Sequence, residues 1–252
     1  MIGEKRKKLK KIDIKYKQKK LELNIKNINI TKGDIKKGVK IPNMLTPKLA
    51  EEIGMHIGDG YLSDKKREFR LKGNKKDEKE YYDSFVKQLY KDLFRIDLKI
   101  KEYESTYGFE IYSTAISEFK SKVIGIPRGR KDNIVIPDII KVNNLEILTS
   151  FLRGLFDTDG NIHFQSRYGY KNYYPLISIS QKSVKLIKEI CTLLEMLGLS
   201  PSFYIGKNYA SVSLYGYESL KRYIELIGFH NPKHLKKIDD WEKAYPKLVA
   251  MV

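Results

Sequence analysis

The sequence predicts an α+β protein built from two related halves, each of order αββαββα and packed together through one helix of each half. Three observations carry this reading. The chain repeats its own order of elements, two glycine-notched helices match at a fixed offset, and the charge is strongly basic. Of 252 residues, 41% are hydrophobic, enough for one large domain or two small ones with a sizeable core. The formal net charge is +18, from 49 Lys and Arg against 31 Asp and Glu. Such an excess points to a polyanion as partner, nucleic acid ahead of an anionic membrane. Cys191 is the sole cysteine, which excludes an intramolecular disulfide and argues against a cysteine zinc site. No apolar run approaches the ~18 residues of a membrane span. MIGEKRKKLKK at the start lacks the apolar stretch of a signal peptide. The expectation is a soluble intracellular protein, with the compartment (cytoplasm, nucleoid or organelle) open.

Residues 1–44 read as a basic extension, its first twenty residues holding ten Lys or Arg against Glu4 and Asp13. A run of this kind is a solvated arm that can also meet phosphates. Residues 45–143 form the first predicted half. Thr46-Pro47 starts a helix, with a capping hydroxyl and proline at the first helical position. That helix runs through LAEEIGMHI, and a hairpin follows with EFRLKG as its second strand. KDEKEYYDSFVKQLYKDLF has helical spacing, DLKIKEY and GFEIYS read as strands, and AISEFKSKVIG closes the half as a helix. Residues 144–252 replay the order. LEILTSFLRGLF is a helix, NIHFQSRY and YYPLISIS a hairpin, SVKLIKEICTLLEMLG a helix, PSFYIG and YASVSLY strands, and YESLKRYIELIG the closing helix. Trp241 in DDWEKAYPKL is expected to anchor a C-terminal helix.

Asp59-Gly60 and Asp159-Gly160 match at an offset of 159 − 59 = 100 residues. At the same offset Ala50, Gly54 and Gly58 stand opposite Ser150, Gly154 and Thr158. Residues four apart share a helix face, so each helix carries a stripe of small side chains. Glycine inside a helix costs about 1 kcal/mol relative to alanine, and two facing stripes offset that cost by letting backbones approach closely. The two C-terminal ends then lie together, with Asp59 and Asp159 face to face. Two carboxylates beside two negative dipole ends repel unless a cation lies between them. Oxygen ligands suit Mg²⁺, for which Mn²⁺ can substitute. Gly60 and Gly160 are expected to be left-handed helix caps.

EIGMHIGDG (52–60) and LRGLFDTDG (152–160) resemble the nine-residue motif of the LAGLIDADG homing endonucleases in their single-chain, two-motif form. The second copy is close. The first departs with Glu52 at the opening position, and with His56 and Ile57 further along. The resemblance in element order covers roughly residues 45–230. It implies antiparallel sheets forming a DNA-binding saddle, and a monomer with internal pseudo-twofold symmetry. It further implies a site-specific endonuclease in which Asp59 and Asp159 hold divalent metal and each serves one strand of double-stranded DNA, while Asp157 supports the fold. IGIPRGRKDNIVIP is similar to the family's Gly-x-Pro-x-Gly-x-Lys turn, which makes Lys131 its catalytic lysine. In IGFHNPKHLKK the equivalent is Lys233, with Lys236 the alternative. Gln181 matches a family position that orients water, with Asn74 as its counterpart in the first half.

Strand alternation assigns the polar faces. Arg70, Lys72, Lys99, Lys101 and Tyr103 fall on one side in the first half. Asn161, His163, Gln165, Arg167, Ser178, Ser180, Tyr209, Ser211 and Ser213 do so in the second. Arg, Asn and Gln can read base edges in the major groove, while lysines suit phosphates. A solvated sheet face shows the same alternation, and the basic bias favours DNA. The halves differ at these positions, so the expected target is asymmetric. His56 is expected to be packed within its helix, and His230 and His234 to lie in a loop without metal-ligand spacing. The rival function is an intron RNA maturase or a non-cutting DNA-binding regulator on the same scaffold. A glycosidase with paired carboxylates fits neither the charge nor the placement. The initial methionine and the lack of flanking splicing segments favour an intron-encoded or free-standing protein over an intein.

Overall fold

The computed structural model describes residues 21–65, 67–167 and 169–246, with Tyr170 described by its backbone alone. The basic arm at 1–20 lies outside these residues. Each half holds a four-stranded antiparallel sheet with the same topology, β1-β2-β4-β3 in the first and β5-β6-β8-β7 in the second. The strands are β1 (Gly60–Leu62), β2 (Glu68–Asn74), β3 (Lys101–Glu102), β4 (Thr106–Tyr112), β5 (Gly160–Arg167), β6 (Tyr170–Gln181), β7 (Ser202–Ile205) and β8 (Ala210–Tyr215).

Residues 21–44, irregular by sequence, pack on the first half. Leu23 and Ile41 enter the core, and a bridge joins Glu22 to Met44. A short helix, α1 (Lys32–Lys36), opens with a reciprocal cap between Thr31 and Asp34. Asp34 is buried and also accepts from the Ser113 hydroxyl at 2.6 Å. Those bonds hold its carboxyl below the usual value against the opposing effect of burial.

The centre of the molecule is the pair α2 (Pro47–Asp59) and α6 (Leu145–Asp159). Thr46 caps the first through the Leu49 amide, and Asn144 caps the second through the Ile147 amide. Both helices are buried nearly all round, as befits a core element rather than a surface one. A Cβ on Gly54 would sit 2.1 Å from the Phe151 carbonyl oxygen, and one on Gly154 2.0 Å from that of Glu51. The small stripes therefore face each other, backbone on backbone.

The helices after the hairpins pack over the sheets. In the first half α3 (Lys79–Tyr81), a π-helical turn (Tyr82–Val86) and α4 (Lys87–Phe94) run on continuously, and α5 (Thr114–Glu118) continues as a π-helical turn (Phe119–Ile124). In the second half α7 (Val184–Met196) and α8 (Tyr217–Leu226) take these places, and α9 (Pro232–Ala244) follows. Trp241 in α9 stacks on Phe164 at 5.0 Å and donates to the Tyr173 carbonyl, which anchors that helix as expected.

Four sequence expectations need correction. Gly60 and Gly160 are extended, with φ of −78° and −76°, not left-handed. Their smallness is required because a Cβ would fall 2.5 Å and 2.4 Å from the carbonyls of His56 and Phe156 as the chain turns from helix into strand. DLKIKEY forms a strand only at Lys101–Glu102, so Lys99 is off the sheet. Arg95 ends α4 in the left-handed region, and Ile96 and Leu98 then bury themselves in an irregular segment instead of pairing. Tyr209 lies just before β8 rather than within it. His234 is a buried residue of α9, not a loop residue.

The departure at Glu52 has a physical reason. Its carboxylate accepts from the Lys120 ammonium and the Tyr90 hydroxyl inside the first half, where Leu152 stands in the second. Lys120 is fully buried, 4.3 Å over the Phe69 ring, and burial pushes its pKa down against the pull of Glu52. His56 stacks on the same ring at 4.9 Å, and its burial drives its pKa well down, so it packs as a neutral side chain.

Gly154→Ala presses a methyl group against backbone that cannot yield, and should lower the unfolding free energy by about 3 kcal/mol or more in denaturant titration. Glu52→Leu leaves the Lys120 ammonium buried without a counter-charge and should cost about 3–5 kcal/mol, most of which the double variant with Lys120→Met regains.

Candidate functional site

The close approach of α2 and α6 brings their C-terminal acids together. A Cβ on Gly58 would lie 2.1 Å from the Thr158 hydroxyl and 3.3 Å from the Asp159 carboxyl carbon, so the two helix ends touch. Asp59 and Asp159 are half-buried there. Burial pushes the Asp59 pKa well up, and the charges of Asp159 and Glu78 add to the rise against Lys233 and Lys131. Asp159 is pushed up by burial too, opposed by Lys131, the Gln181 hydrogen bond and Lys233. Oxygen donors held this close, each disfavouring the other's charge, fit a divalent cation.

Two lysines complete the cluster. The Lys131 ammonium donates to the last carbonyls of α2, at 3.1 Å to His56, 2.8 Å to Ile57 and 2.7 Å to Gly58. It is a cation at the negative end of a helix dipole, beside both acids. Lys233 stands in the same relation to α6, 3.4 Å from the Thr158 carbonyl. Thr158 is the 100-residue counterpart of Gly58, so the geometry selects Lys233 over the exposed Lys236. Gln181 donates to Asp159 Oδ2. Asn74 does not play that part for Asp59: its side chain accepts from the Lys76 amide at 2.8 Å within a turn. The Tyr82 hydroxyl donates to Asp59 Oδ2 at 3.5 Å.

Sequence reasoning missed Glu78. It is buried, accepts from Lys233 Nζ at 2.5 Å and from Asn231 Nδ2 at 2.9 Å, and adds a third carboxylate to the cluster. Gly73 makes the space, since a Cβ there would lie 2.1 Å from Glu78 Oε2. A glycine inside β2 five residues before an acid was the available signal.

Asp157 faces away from this cluster and into the seam between the halves. It accepts from the amides of His230 and Asn231, and burial raises its pKa to about 7. His230 Nδ1 meets Glu51 Oε1 at 2.6 Å, and Arg153 meets the other Glu51 oxygen at 3.3 Å. One ligand atom from each of Glu51, Asp157 and His230 lies within 4.8 Å of the others, which sequence spacing did not show. Every member already has a protein partner, so the group works as a clasp. Loop exchange reinforces it. Ser183 donates to the Ile134 carbonyl at 2.6 Å, and the Ile136 amide donates to Glu189 at 2.7 Å.

The sheets present the expected polar faces with a different charge balance. Arg70 lies opposite both Tyr61 and Glu110, stacks 4.3 Å over Tyr61, and stands 3.7 Å from Glu68. Lys72 pairs with Glu110 at 2.5 Å and lies 3.4 Å over the Tyr103 ring. Lys101 pairs in register with Gly108 at the sheet edge and is exposed. Carboxylates on the same face thus hold Arg70 and Lys72. The second sheet is largely neutral. Asn161, Ser178 and Ser213 align in one row, and Ser180 and Ser211 align in the next. Asn161 meets His163 at 3.2 Å and accepts from Lys237 at 3.1 Å. Arg167 bonds Gln165 at 3.2 Å and stacks 4.0 Å over Tyr174, and Tyr209 is exposed beside Tyr204. Among the described residues, no helix is long and apolar enough to cross a membrane.

Residues 146–228 match the family model of a LAGLIDADG-like domain. Solved structures share the fold. The homing endonuclease I-WcaI bound to its DNA recognition sequence superposes with a TM-score of 0.55 at 14% identity, over 81% of this chain and 91% of that one. I-SmaMI bound to uncleaved DNA target with calcium ions gives 0.52 at 14% identity, over 79% and 90%. Among curated proteins, glutamine–fructose-6-phosphate aminotransferase of Methanocaldococcus jannaschii is 31% identical over 166 residues. The tRNA-splicing ligase RtcB of Methanopyrus kandleri is 26% identical over 241 residues. The first match covers 66% of this chain and the second 81%, yet only 14% and 23% of those proteins' own lengths. The chain therefore carries a LAGLIDADG-like domain and has the fold of the homing endonucleases.

The acid pair makes a prediction for the free protein. Because the folded state holds protons on Asp59 and Asp159 that the unfolded chain releases, metal-free stability should fall as pH rises above the ordinary carboxylate range. Added Mg²⁺ should raise the melting temperature at neutral pH, and Asp59→Asn should flatten the pH dependence and remove most of the Mg²⁺ effect in calorimetry.

Proposed function

We propose that this chain, with a LAGLIDADG-like domain on a homing-endonuclease fold, is a site-specific DNA endonuclease that cuts both strands of a long asymmetric target. The observation that carries this reading is the meeting of Asp59 and Asp159 at the ends of paired helices, with a lysine beside each end. A divalent cation held by these carboxylates, Mg²⁺ or Mn²⁺, would stabilise charge on the leaving oxygen and lower the pKa of an attacking water. The protein's own groups do the rest. Lys131 and Lys233 bring positive charge to where the phosphate must sit. Gln181, already bonded to Asp159, is placed to orient a water. One acid for each strand gives a double-strand break.

The sheets supply recognition. Arg70, Arg167, Asn161 and Gln165 reach base edges, while Lys72, Lys101 and Lys237 suit phosphates. His163, Ser178, Ser180, Tyr209, Ser211 and Ser213 add neutral donors and acceptors. The ion pairs of the first sheet must open for Arg70 and Lys72 to reach DNA, which makes recognition there an exchange of partners. The matching segment occurs as a small fraction of proteins with unrelated names, which supports reading the unit as a mobile module inserted into unrelated genes.

Cleavage of a plasmid library of genomic or random targets, with and without Mg²⁺, tests the proposal. Linear product at one sequence is expected, and Asp59→Asn or Asp159→Asn should lower the rate at least about 100-fold with DNA affinity retained. A wild type that binds structured intron RNA and never cuts DNA would establish the maturase reading instead.

A further inference from the structure

The two halves are not equivalent at the cleavage centre, and one difference bears directly on its lysines. Glu78 and Ser183 occupy matching places, each at the N-cap of the helix that follows the second strand of its half. Ser183 does what an N-cap does, accepting from the Leu186 amide. Glu78 makes no such bond. Its carboxylate turns inward, accepts from the Asn74 amide at 2.5 Å and from Asn231 Nδ2 at 2.9 Å, and takes Lys233 Nζ at 2.5 Å. The side chain of Glu78 is 3% exposed and that of Lys233 19%, so solvent screens the pair weakly. Gly73 lacks the Cβ that would collide with the carboxylate, so the strand is cut away to admit it. Lys131, by contrast, bonds three carbonyl oxygens and forms no carboxylate ion pair among the described residues.

An ammonium already bound by a carboxylate is a poor partner for an incoming phosphate. Lys233 must leave Glu78 before it can serve, while Lys131 needs only to shift from neutral carbonyls. Glu78 also brings one more negative charge to a centre that receives a polyanion.

We propose that Glu78 is a positioning residue that withholds Lys233 and makes the two strand cleavages unequal, the strand dependent on Lys233 being cut after the strand dependent on Lys131. This rests on the endonuclease reading given above. It makes the protein a sequential cutter that passes through a nicked duplex with a defined intact strand.

The test uses the full chain with Mg²⁺ and the target recovered from the plasmid library, each strand separately end-labelled, in single-turnover reactions. Lys131→Met and Lys233→Met identify which strand depends on which lysine. In the wild type the Lys233 strand should be slower by about tenfold. Glu78→Gln should bring the two rates within about threefold of each other, and should change nothing further in a Lys233→Met background. A second measurement is independent of cleavage. Reductive methylation of the free protein, read by mass spectrometry, should leave Lys233 protected relative to Lys236 in the wild type and reactive in Glu78→Gln. Equal strand rates in the wild type would overturn the inference while leaving the endonuclease reading intact, and the wild-type ratio needs no variant to fold. A Glu78→Gln protein with an unchanged rate ratio and a newly reactive Lys233 would overturn it as well. Absence of any cutting would overturn the endonuclease reading, and the inference with it.

Discussion

Everything in this molecule depends on how closely two helices can lie. With Gly54 against the Phe151 carbonyl and Gly154 against that of Glu51, α2 and α6 meet through their backbones, and a single methyl group does not fit between them. This contact fixes the distance between the two halves. It also fixes the distance between Asp59 and Asp159, since each acid is the last residue of its helix. Interior glycine weakens each helix taken alone. The weakness is offset only in the pair, so the same residues that bring the halves together also build the acidic cluster.

That cluster would be unfavourable without its surroundings. Carboxylates at the negative ends of two helices suffer burial, mutual repulsion and the dipoles at once. The fold answers with Lys131 on the final carbonyls of α2 and Lys233 beside the Thr158 carbonyl of α6. Lys131 sits in the loop that closes the first half, and Lys233 in the first turn of α9, directly after the loop that closes the second. The same loops run on to brace the opposite half, at Ser183 and Glu189 in one direction and at Glu78 and Glu51 in the other. Charge compensation and subunit-like docking are thus performed by the same segments.

Much of this was legible in the residues. The repeat of element order, the 100-residue offset and the small stripes led to the helix pair and its acids, because those features depend on local spacing. Lys131 was reached through resemblance to the family's turn and Gln181 through its match to another family position, and both lie beside the acids. What could not be read was side-chain pairing across long separations. Glu78 meets Lys233 from 155 residues away, and Glu51 meets His230 from 179. Nothing local marks either pair. The departure at Glu52 has its partner, Lys120, 68 residues away. Alternation places Arg70 and Lys72 on one face of the first sheet, and the same alternation places Glu68 and Glu110 there, where they pair with those cations. The irregular stretch 95–100 escaped because its buried isoleucine and leucine imitate a strand without having a partner to pair with.

The reciprocal loops bear on how a protein with the proposed function could change its target. A new recognition surface could in principle be assembled by grafting one half onto a half taken from a relative. Here the graft would sever Asn231 and Lys233 from Glu78 and Ile134 from Ser183, so both seams would lose their buried partners together. The rows of β5, β6 and β8 that hold Asn161, Ser178, Ser180, Ser211 and Ser213 pair with one another within the second sheet and supply none of these seam bonds. On the proposed reading, point changes on the sheets leave these interlocking bonds whole, whereas exchange of a half breaks them on both sides at once.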